Sequence, residues 1–275
     1  GVRYVGLCKG EMLPNRLQFR AVFISDLHLG SVTCNAEAIQ TFLVNTDCEH
    51  LYLVGDIMDM WVSRKKGKWR QEHTDIVSSI FDKARRGTEV YLTPGNHDSE
   101  FRRLNGIGFG NIHVEHEFVH TTLEGKRLWV IHGDYLDRSV TTLKWLAYLG
   151  AWVHEGLGGY NVFWNRWAKR FGRPPSDFSG LAKKRVKDFI QYFTNFDDRI
   201  TVDAKNAGYD GVVCGHIHKP EFREHEAGAL YINTGDWMKH CSALVEHLDG
   251  RLELVHWCDL RGAFEPTESS QPEPS

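Results

Sequence analysis

The chain has 275 residues, of which 41% are hydrophobic and 25% are charged, the composition of a globular protein long enough for one large α/β domain. Its formal net charge of -3 at pH 7 excludes binding to nucleic acid through overall charge, so attraction to an anionic partner has to be local and no nucleic-acid partner is expected. The sequence contains neither a signal peptide nor an apolar run near the roughly 18 residues that span a bilayer. Its six cysteines form no C-x-x-C pair. These features predict a cytoplasmic protein with reduced thiols, and they restrict membrane contact to a peripheral one.

Predicted strands and helices alternate along the first half of the chain, after an N-terminal extension at 1–18 that shows no clear periodicity. The predicted strands are 19–25, 51–54, 89–93 and 127–131, and the predicted helices are 36–45 and 70–86. Gly87 stands in a C-cap position and ends the second helix. Each strand runs directly into a turn that carries Asp, Asn or His, and in α/β proteins ligands gather at such carboxyl ends of strands.

The segment 136–197 interrupts this alternation with aromatic residues, glycines and a proline pair, which indicate separate helical pieces. We interpret it as a helical insertion over the core of a domain that spans 19–262. The predicted elements after it are a helix near 198–207, a strand at 211–214, and antiparallel strands near 228–233, 242–248 and 251–257. A two-residue turn at Asp249–Gly250 is expected between the last two strands. The tail 263–275 is rich in Pro, Glu and Ser and is predicted to be disordered.

Five short motifs follow predicted strands, and each contains side chains of the kinds that bind metal ions. They are D-x-H at Asp26–His28, G-D-x-x-D at Gly55–Asp59, G-N-H-D at Gly95–Asp98, H-G-D at His132–Asp134 and G-H-x-H at Gly215–His218. A carboxylate and an imidazole two positions apart at a strand end can point to the same side. The glycines let the backbone turn tightly enough for the next side chain to face inward.

The motifs together offer a complete set of ligands for two metal ions. The seven candidate ligands are Asp26, His28, Asp56, Asn96, His132, His216 and His218. Two divalent ions about 3.5–4 Å apart need several oxygen and nitrogen ligands, including a bridging carboxylate. Neutral imidazole and carboxylate suit Mn, Fe, Zn or Ni, with Mn(II) as the first expectation, and the absence of Cys from the set argues against a structural zinc site.

With these motifs in this order, the chain resembles the calcineurin-like metallophosphoesterase superfamily, whose signature is the same series from D-x-H to G-H-x-H. The matching motifs span residues 26–218. The resemblance implies an α/β fold, a four-layer α/β/β/α sandwich, here with the helical insertion over the active site. It also implies a hydrolase that cleaves a phosphoanhydride or a phosphodiester through attack by a hydroxide that bridges two metal ions.

The same resemblance implies a role for each motif residue. The ligands divide into Asp26, His28 and His218 for the first ion, Asn96, His132 and His216 for the second, and Asp56 for both. His97 is the catalytic general acid or the electrostatic stabiliser at the leaving oxygen, and Asp98 orients its ring. For Asp59 and Asp134 two interpretations stay open, as partners of the metal ligands or as turn residues. His240 lies outside the motifs and carries no predicted role.

Two segments and the insertion resemble one branch of the superfamily, the UDP-2,3-diacylglucosamine pyrophosphatases, which release UMP from a diacylated nucleotide sugar in lipid A synthesis. The segments are Ser25–Gly30 and Gly55–Trp61. The branch implies a lipid-linked nucleotide substrate and contact with the cytoplasmic face of the inner membrane. Its best-known members carry Arg where this chain has His97, so a phosphodiesterase or phosphatase acting on another nucleotide or phospholipid stays open. A non-catalytic scaffold of the same fold is a further alternative that predicts lost ligands, and here none is lost.

The insertion contains candidate substrate-binding residues of two kinds. Trp152 and Trp164 belong to apolar stretches that can house acyl chains. Arg166, Lys169 and Arg170 belong to a basic cluster that can hold a diphosphate or meet an anionic bilayer. The alternatives are aromatic packing on the core and a solvated helix face, and the sequence leaves both open.

Overall fold

A computed structural model of the chain describes residues 16–60, 69–139 and 196–257. It divides into two units, and both β-sheets lie in the unit formed by the residues before 134 and those from 201 onward. The N-terminal extension, the helical insertion and the C-terminal tail fall almost wholly outside the described ranges, so their boundaries stay predictions. Within those ranges, no helix is long and apolar enough to cross a membrane.

Twelve strands and three α-helices make up the described secondary structure. The strands are β1 (Leu17–Ile24), β2 (Thr46–Val54), β3 (Glu89–Thr93), β4 (Ile107–Phe109), β5 (Ile112–Val114), β6 (Phe118–Thr121), β7 (Arg127–Val130), β8 (Gly211–Cys214), β9 (Glu221–Glu224), β10 (Leu230–Asn233), β11 (Ser242–Glu246) and β12 (Leu252–His256). The helices are α1 (Ala36–Asn45), α2 (Gln71–Arg85) and α3 (Phe196–Asn206), with 3₁₀ turns at Ser99–Leu104 and Asp134–Ser139.

The strands form two sheets, each with a parallel centre. The larger sheet has the order β12-β11-β1-β2-β3-β5-β4, in which β1, β2, β3 and β5 are parallel. The smaller sheet has the order β6-β7-β8-β10-β9, with β7, β8 and β10 parallel. Parallel strands present their carboxyl ends at one edge of a sheet, so β1, β2 and β3 deliver their loops together, as do β7 and β8.

Alternation along β1 shows how the core is layered. Ala21 and Phe23 pack toward the smaller sheet, where they join a buried cluster with residues of β7, β8 and β10. Val22 and Ile24 point the other way, into a cluster that includes the buried faces of α1 and α2. Because side chains alternate across a strand, both faces of this central strand are covered and it is apolar on each. The α/β sandwich fold expected from the motifs is confirmed.

Local signals explain the ends of the first two helices. Asn35 caps α1, because its side-chain oxygen accepts a hydrogen bond from the amide of Ala38. The helix passes straight into β2 at Thr46, whose backbone is already extended. Past the end of α2, Gly87 adopts a φ of 103°, the left-handed conformation that a glycine C-cap provides. The predicted end of this helix is therefore confirmed.

Several predicted elements differ from the structure. β2 begins at Thr46 instead of residue 51, because its polar first half pairs along β1 from Leu17 onward. The strand predicted at 228–233 is parallel to β8, and it lies in a different sheet from β11. The predicted two-residue hairpin is wrong. His247 pairs with Arg251, which leaves a three-residue loop whose last residue is a glycine with a φ of 88°.

Candidate metal centre

Loops from four strand ends bring six of the predicted ligands into two compact groups. We define the first ligand group as Asp26, His28 and His218, and the second ligand group as Asp56, His132 and His216. In each group, every residue offers one potential ligand atom, and these atoms all lie within 4.8 Å of one another. The first group joins β1 of the larger sheet to β8 of the smaller sheet, and the second joins β2 to β7 and β8.

In the first ligand group, two imidazoles converge on one carboxylate oxygen. His218 Nε2 lies 3.2 Å from Asp26 Oδ1, and His28 Nε2 lies 3.8 Å from the same oxygen. The two histidine rings are stacked, with centroids 5.3 Å apart. Asp26 is fully buried, and the amide of His216 donates to its other oxygen at 3.0 Å. One oxygen of Asp26 is thus held by the backbone while the other faces the imidazoles.

In the second ligand group, His132 faces the carboxylate of Asp56. Its Nε2 lies 3.4 Å from Asp56 Oδ2, and its Nδ1 lies 2.9 Å from the carbonyl oxygen of Val54. A proton on Nδ1 is therefore donated to the backbone, which leaves the Nε2 lone pair for a metal ion. The rings of His132 and His216 are 5.1 Å apart in an edge-to-face arrangement.

Asp56 connects the two groups. The oxygen that faces His132 also lies 3.9 Å from His28 Nε2, which belongs to the first group. The other oxygen, Oδ1, accepts a hydrogen bond of 2.8 Å from the amide of His97. Asn96 stands immediately before His97, and its side-chain Oδ1 is buried. The geometry brings six of the seven predicted ligands together around Asp56, and Asn96 follows β3 next to His97, whose amide contacts the same carboxylate.

The candidate ligands occupy an unusual backbone conformation. Five of them have positive φ angles, between 48° for His28 and 71° for His216. A non-glycine residue in this region costs on the order of 1–3 kcal/mol, and such residues cluster at functional sites. Backbone hydrogen bonds hold two of these turns, since the amide of Asp26 donates to Gly55 O at 3.0 Å and that of His28 donates to Asp56 O at 3.0 Å.

Two glycines allow the loops to approach each other at the site. A Cβ atom on Gly95 would lie 2.2 Å from Asp56 Oδ1, and a Cβ atom on Gly215 would lie 2.3 Å from Asp26 Oδ2. Both distances are far below a van der Waals contact, so any side chain at either position displaces a candidate ligand. The motif glycines are required here by close packing of backbone against carboxylate.

The electrostatics and the hydrogen bonding of the site fit a metal cation. Burial alone would lower the pKa of His28, but the carboxylates of Asp59, Asp26 and Asp56 raise it above its ordinary value. Among the described residues, the buried atoms without a hydrogen-bond partner include three on candidate ligands, namely Asp26 Oδ1, His28 Nε2 and Asn96 Oδ1. Buried polar groups without partners are costly, and a divalent ion satisfies oxygen and nitrogen ligands of this kind.

His97 lies beside this cluster, and the carboxylate near its ring is Asp59. His97 Nδ1 is 3.4 Å from Asp59 Oδ1, while the other oxygen of Asp59 is 3.8 Å from His28 Nδ1. The rings of His97 and His28 meet edge to face at 4.7 Å. Asp59 therefore connects the predicted acid to a predicted metal ligand, which favours the first of the two interpretations that the sequence left open.

Asp98, predicted to orient His97, is engaged with the backbone. Its Oδ2 accepts from the amides of Ile57 at 2.7 Å and Met58 at 3.3 Å, and its Oδ1 accepts from Gly95 at 2.7 Å. Burial and the negative charge of Asp56 raise its pKa to about 6. These hydrogen bonds connect the G-N-H-D loop to the G-D-x-x-D loop. Asp98 therefore holds two loops together, whereas it was predicted to orient the ring of His97.

The structure adds two residues that the motifs did not indicate, Asp236 and His240. Asp236 is buried, and its Oδ2 lies 2.6 Å from His240 Nδ1 and 4.0 Å from His218 Nδ1. Burial alone would raise the pKa of Asp236, but hydrogen bonds from Lys239, His240 and Met238 lower it overall. The sequence signal that could have indicated Asp236 is the short G-D-W segment after a strand. His240 has no such signal of its own.

The candidate substrate-binding residues cannot be placed beside this centre. Trp152, Trp164, Arg166, Lys169 and Arg170 all lie outside the described residues. The remaining H-G-D residue, Asp134, begins the second of the two units. The ligand groups described above come from loops that follow strands of the two sheets.

Comparisons with known proteins identify a family whose model matches most of the chain. The model of the calcineurin-like phosphoesterase family matches residues 19–220. A UDP-2,3-diacylglucosamine hydrolase of Shewanella pealeana is 26% identical over 86% of this chain and 97% of its own length. A protein of the same name from Shewanella sp. strain ANA-3 is 23% identical over 84% of this chain and 95% of its own length. A solved archaeal phosphodiesterase matches with a TM-score of 0.39 and 13% identity, over 86% of this chain and 98% of that one.

Proposed function

The chain belongs to the calcineurin-like phosphoesterase family, and on that premise we propose that it hydrolyses a nucleotide-linked lipid of the UDP-2,3-diacylglucosamine type, releasing UMP. Family membership makes it a metal-dependent hydrolase. The observation that carries the proposed chemistry is the single oxygen of Asp56 that faces ligands of both groups, at 3.4 Å and 3.9 Å. The similarity to two hydrolases of that name along most of the chain supports the substrate.

In this proposal each ligand group holds one divalent ion. The first ligand group binds one ion. The other ion is bound by His132, His216 and Asn96, and Asp56 contributes to both ions. Mn(II) is the proposed metal, with Fe, Zn or Ni as alternatives that the same donor atoms accept. When bound, two such ions supply an acidified water and positive charge for the phosphoryl oxygens.

His97 is proposed to give a proton to the leaving oxygen. Its Nδ1 faces Asp59, so Nε2 is the ring nitrogen directed away from that carboxylate. A carboxylate on one nitrogen of an imidazole fixes the orientation of the ring. The backbone amide of His97 also donates to Asp56 Oδ1 at 2.8 Å, which ties the acid to the bridging ligand. Proton donation of this kind contributes about 10²–10⁴-fold to rate.

A second candidate function follows from His97 itself. The branch of the superfamily that cleaves UDP-diacylglucosamine has Arg at this position in its best-known members, and a planar guanidinium recognises a diphosphate differently from an imidazole. A phosphodiesterase or phosphatase acting on another nucleotide or phospholipid uses the same metal centre. In either case we propose a cytoplasmic protein that reaches its substrate through peripheral contact with the inner membrane, with the basic and aromatic residues of 152–170 as the contact surface.

Substrate assays separate the two candidates. The full chain is incubated with Mn(II) and UDP-diacylglucosamine in detergent micelles, and UMP is quantified by chromatography; a parallel assay uses a generic aryl phosphodiester. UMP release at a rate well above that of the aryl ester supports the lipid-linked substrate. Turnover of the aryl ester without UMP release replaces it with the second candidate.

Matched variants assign the activity to the metal centre. Asp56→Ala removes the shared ligand and is expected to abolish both reactions. Asp82→Ala removes an exposed carboxylate of α2 that pairs with Arg85 at 3.3 Å, and it is expected to have full activity. Equal activity in both variants would contradict the assignment.

A further inference from the structure

The loop that follows β10, residues 234–241, is fastened to the end of β1 where Asp26 stands. The hydroxyls of Ser25 and Thr234 are 2.7 Å apart, and Ser25 Oγ donates to Gly235 O at 3.2 Å. The amide of Trp237 donates to the carbonyl oxygen of Asp26 at 3.2 Å. Every residue in these contacts is buried or a glycine, so the loop is fixed relative to the first ligand group.

Asp236 is the charged residue at the centre of this loop, and its Oδ1 is immobilised by the backbone. That oxygen accepts hydrogen bonds from the amides of Met238 at 2.8 Å, Lys239 at 2.6 Å and His240 at 3.3 Å. Three donors on one oxygen fix both the position and the direction of the carboxylate. The second oxygen, Oδ2, is therefore held in one place and is available for side chains.

Two imidazoles meet that second oxygen. His240 Nδ1 lies at 2.6 Å, a charge-assisted hydrogen bond, and His218 Nδ1 lies at 4.0 Å. The opposite nitrogen of His218, Nε2, is 3.2 Å from Asp26 Oδ1 inside the first ligand group. The ring of His218 thus stands between two carboxylates, with one nitrogen toward the metal centre and the other toward Asp236.

We infer that Asp236 is a positioning residue for the metal centre: its carboxylate holds His218 by the outer nitrogen, so that Nε2 is presented to the first ion. This inference rests on the proposed function, because it assumes that His218 binds a metal. A ligating histidine generally offers its other nitrogen to a carboxylate or a carbonyl, which fixes the ring and increases its basicity. The separation of 4.0 Å is longer than a direct hydrogen bond, so the contact is electrostatic or bridged by one water.

His240 completes the arrangement from the other side. Its bond to Oδ2 prevents the carboxylate from turning away from His218, and it leaves Asp236 with no unsatisfied oxygen. His132 shows the same principle in the second ligand group, where its outer nitrogen meets the carbonyl oxygen of Val54 at 2.9 Å. Each group therefore contains a histidine whose outer nitrogen faces an oxygen held by the surrounding structure, and in the first group His28 Nδ1 also faces Asp59 at 3.8 Å.

The test compares metal binding by two charge-neutralising variants. Asp236→Asn removes the charge but keeps an oxygen for the three backbone amides, and Asp236→Ser is a second neutral variant that still accepts from the backbone. The matched control is Glu253→Gln. Glu253 lies on β12, outside the ligand groups, and its carboxylate is 2.8 Å from His247 Nε2. Chelated protein is titrated with Mn(II) in a calorimeter, and thermal unfolding verifies that each variant is folded.

For the neutral Asp236 variants, the inference predicts that one of two Mn(II) ions binds about 10–100-fold more weakly, with the other unchanged. Saturating Mn(II) should restore kcat, which a purely structural defect would not allow. Glu253→Gln should bind both ions like the wild type. Wild-type affinity for both ions in the two folded Asp236 variants would overturn the inference and leave the proposed function intact. A wild-type chain that binds no Mn(II) would overturn both.

Discussion

At the scale of single residues, the metal centre depends on contacts too close for ordinary side chains. The D-x-H and G-H-x-H spacings predict that their carboxylate and imidazoles share one side, and the structure brings those residues together. The spacing does not show that Asp26 and His28 stand at positive φ, because their backbone conformation is held by hydrogen bonds to another loop. Strain of this kind is a property of the folded site and has no local sequence signal.

Replacing Gly95 tests how much the site depends on this close approach. A Cβ atom at this position would stand 2.2 Å from Asp56 Oδ1, so Gly95→Ala should displace the shared ligand. We expect a stability loss of about 1–3 kcal/mol and a marked loss of bound Mn(II), measured by thermal unfolding and calorimetry. Gly108→Ala is the control, since its nearest contact would be 3.7 Å. Similar Mn(II) binding by the two variants would contradict the proposed packing.

The role of His97 gives a second prediction at this scale. His97→Ala should lower kcat by about 10²–10⁴-fold while both ions stay bound, because the residue donates a proton and is not assigned as a ligand. Asp59→Asn should lower kcat as well, through loss of the carboxylate 3.4 Å from His97 Nδ1. Metal content is measured beside turnover in both variants. Loss of an ion from His97→Ala would show that His97 is a ligand and that the assignment is wrong.

The partners of the motif residues could not be derived from the sequence. The motifs gave the ligand types, but the carboxylate beside His97 is Asp59 and not its chain neighbour Asp98. Likewise, only the fold shows that His240 is a partner of Asp236, with His240 Nδ1 2.6 Å from Asp236 Oδ2. Such pairings depend on how loops from different strands pack, which periodicity and spacing do not encode.

Among the elements, apolar segments that become buried were predictable, and short exposed strands were not. Helix α1 and strands β3 and β8 have the predicted boundaries, since each is bounded by a cap or a glycine turn and has a clear apolar face. Strand β4 was missed because it has three residues, all exposed, and β9 because it has four without a buried one. Edge strands like these form through pairing with a neighbour and carry almost no pattern of their own.

The contact between the two sheets supplies a prediction about elements. Phe23 of β1 is fully buried in the cluster between the two sheets, where it also stacks on Tyr52 of its own sheet with ring centroids 4.5 Å apart. Phe23→Ala should therefore destabilise the fold by about 3–5 kcal/mol, from lost burial and the cavity that remains. Phe81→Ala is the control, because Phe81 on α2 is 52% exposed and should cost under about 1 kcal/mol. Denaturant unfolding compares the two, and equal losses would contradict the layered core.

At the scale of the whole molecule, metal binding and folding are coupled. The centre gathers Asp26, Asp56 and Asp59 in a buried region, where a bound cation attracts all three carboxylates and reduces their mutual repulsion. A ligand at a hundredfold excess over its Kd stabilises the folded state by about 2.7 kcal/mol per site. Chelation should therefore lower the Tm by several degrees, and added Mn(II) should restore it. Asp56→Asn, with the shared ligand weakened, should show a much smaller change, and an equal change in both proteins would contradict this coupling.

Anomalous X-ray diffraction from crystals soaked in Mn(II) will show whether this chain binds two ions that share Asp56. We expect two anomalous peaks about 3.5–4 Å apart, one beside Asp26, His28 and His218 and the other beside Asn96, His132 and His216. Asp56 should lie within coordinating distance of both peaks. A single peak, or two peaks that do not share Asp56, would contradict this expectation.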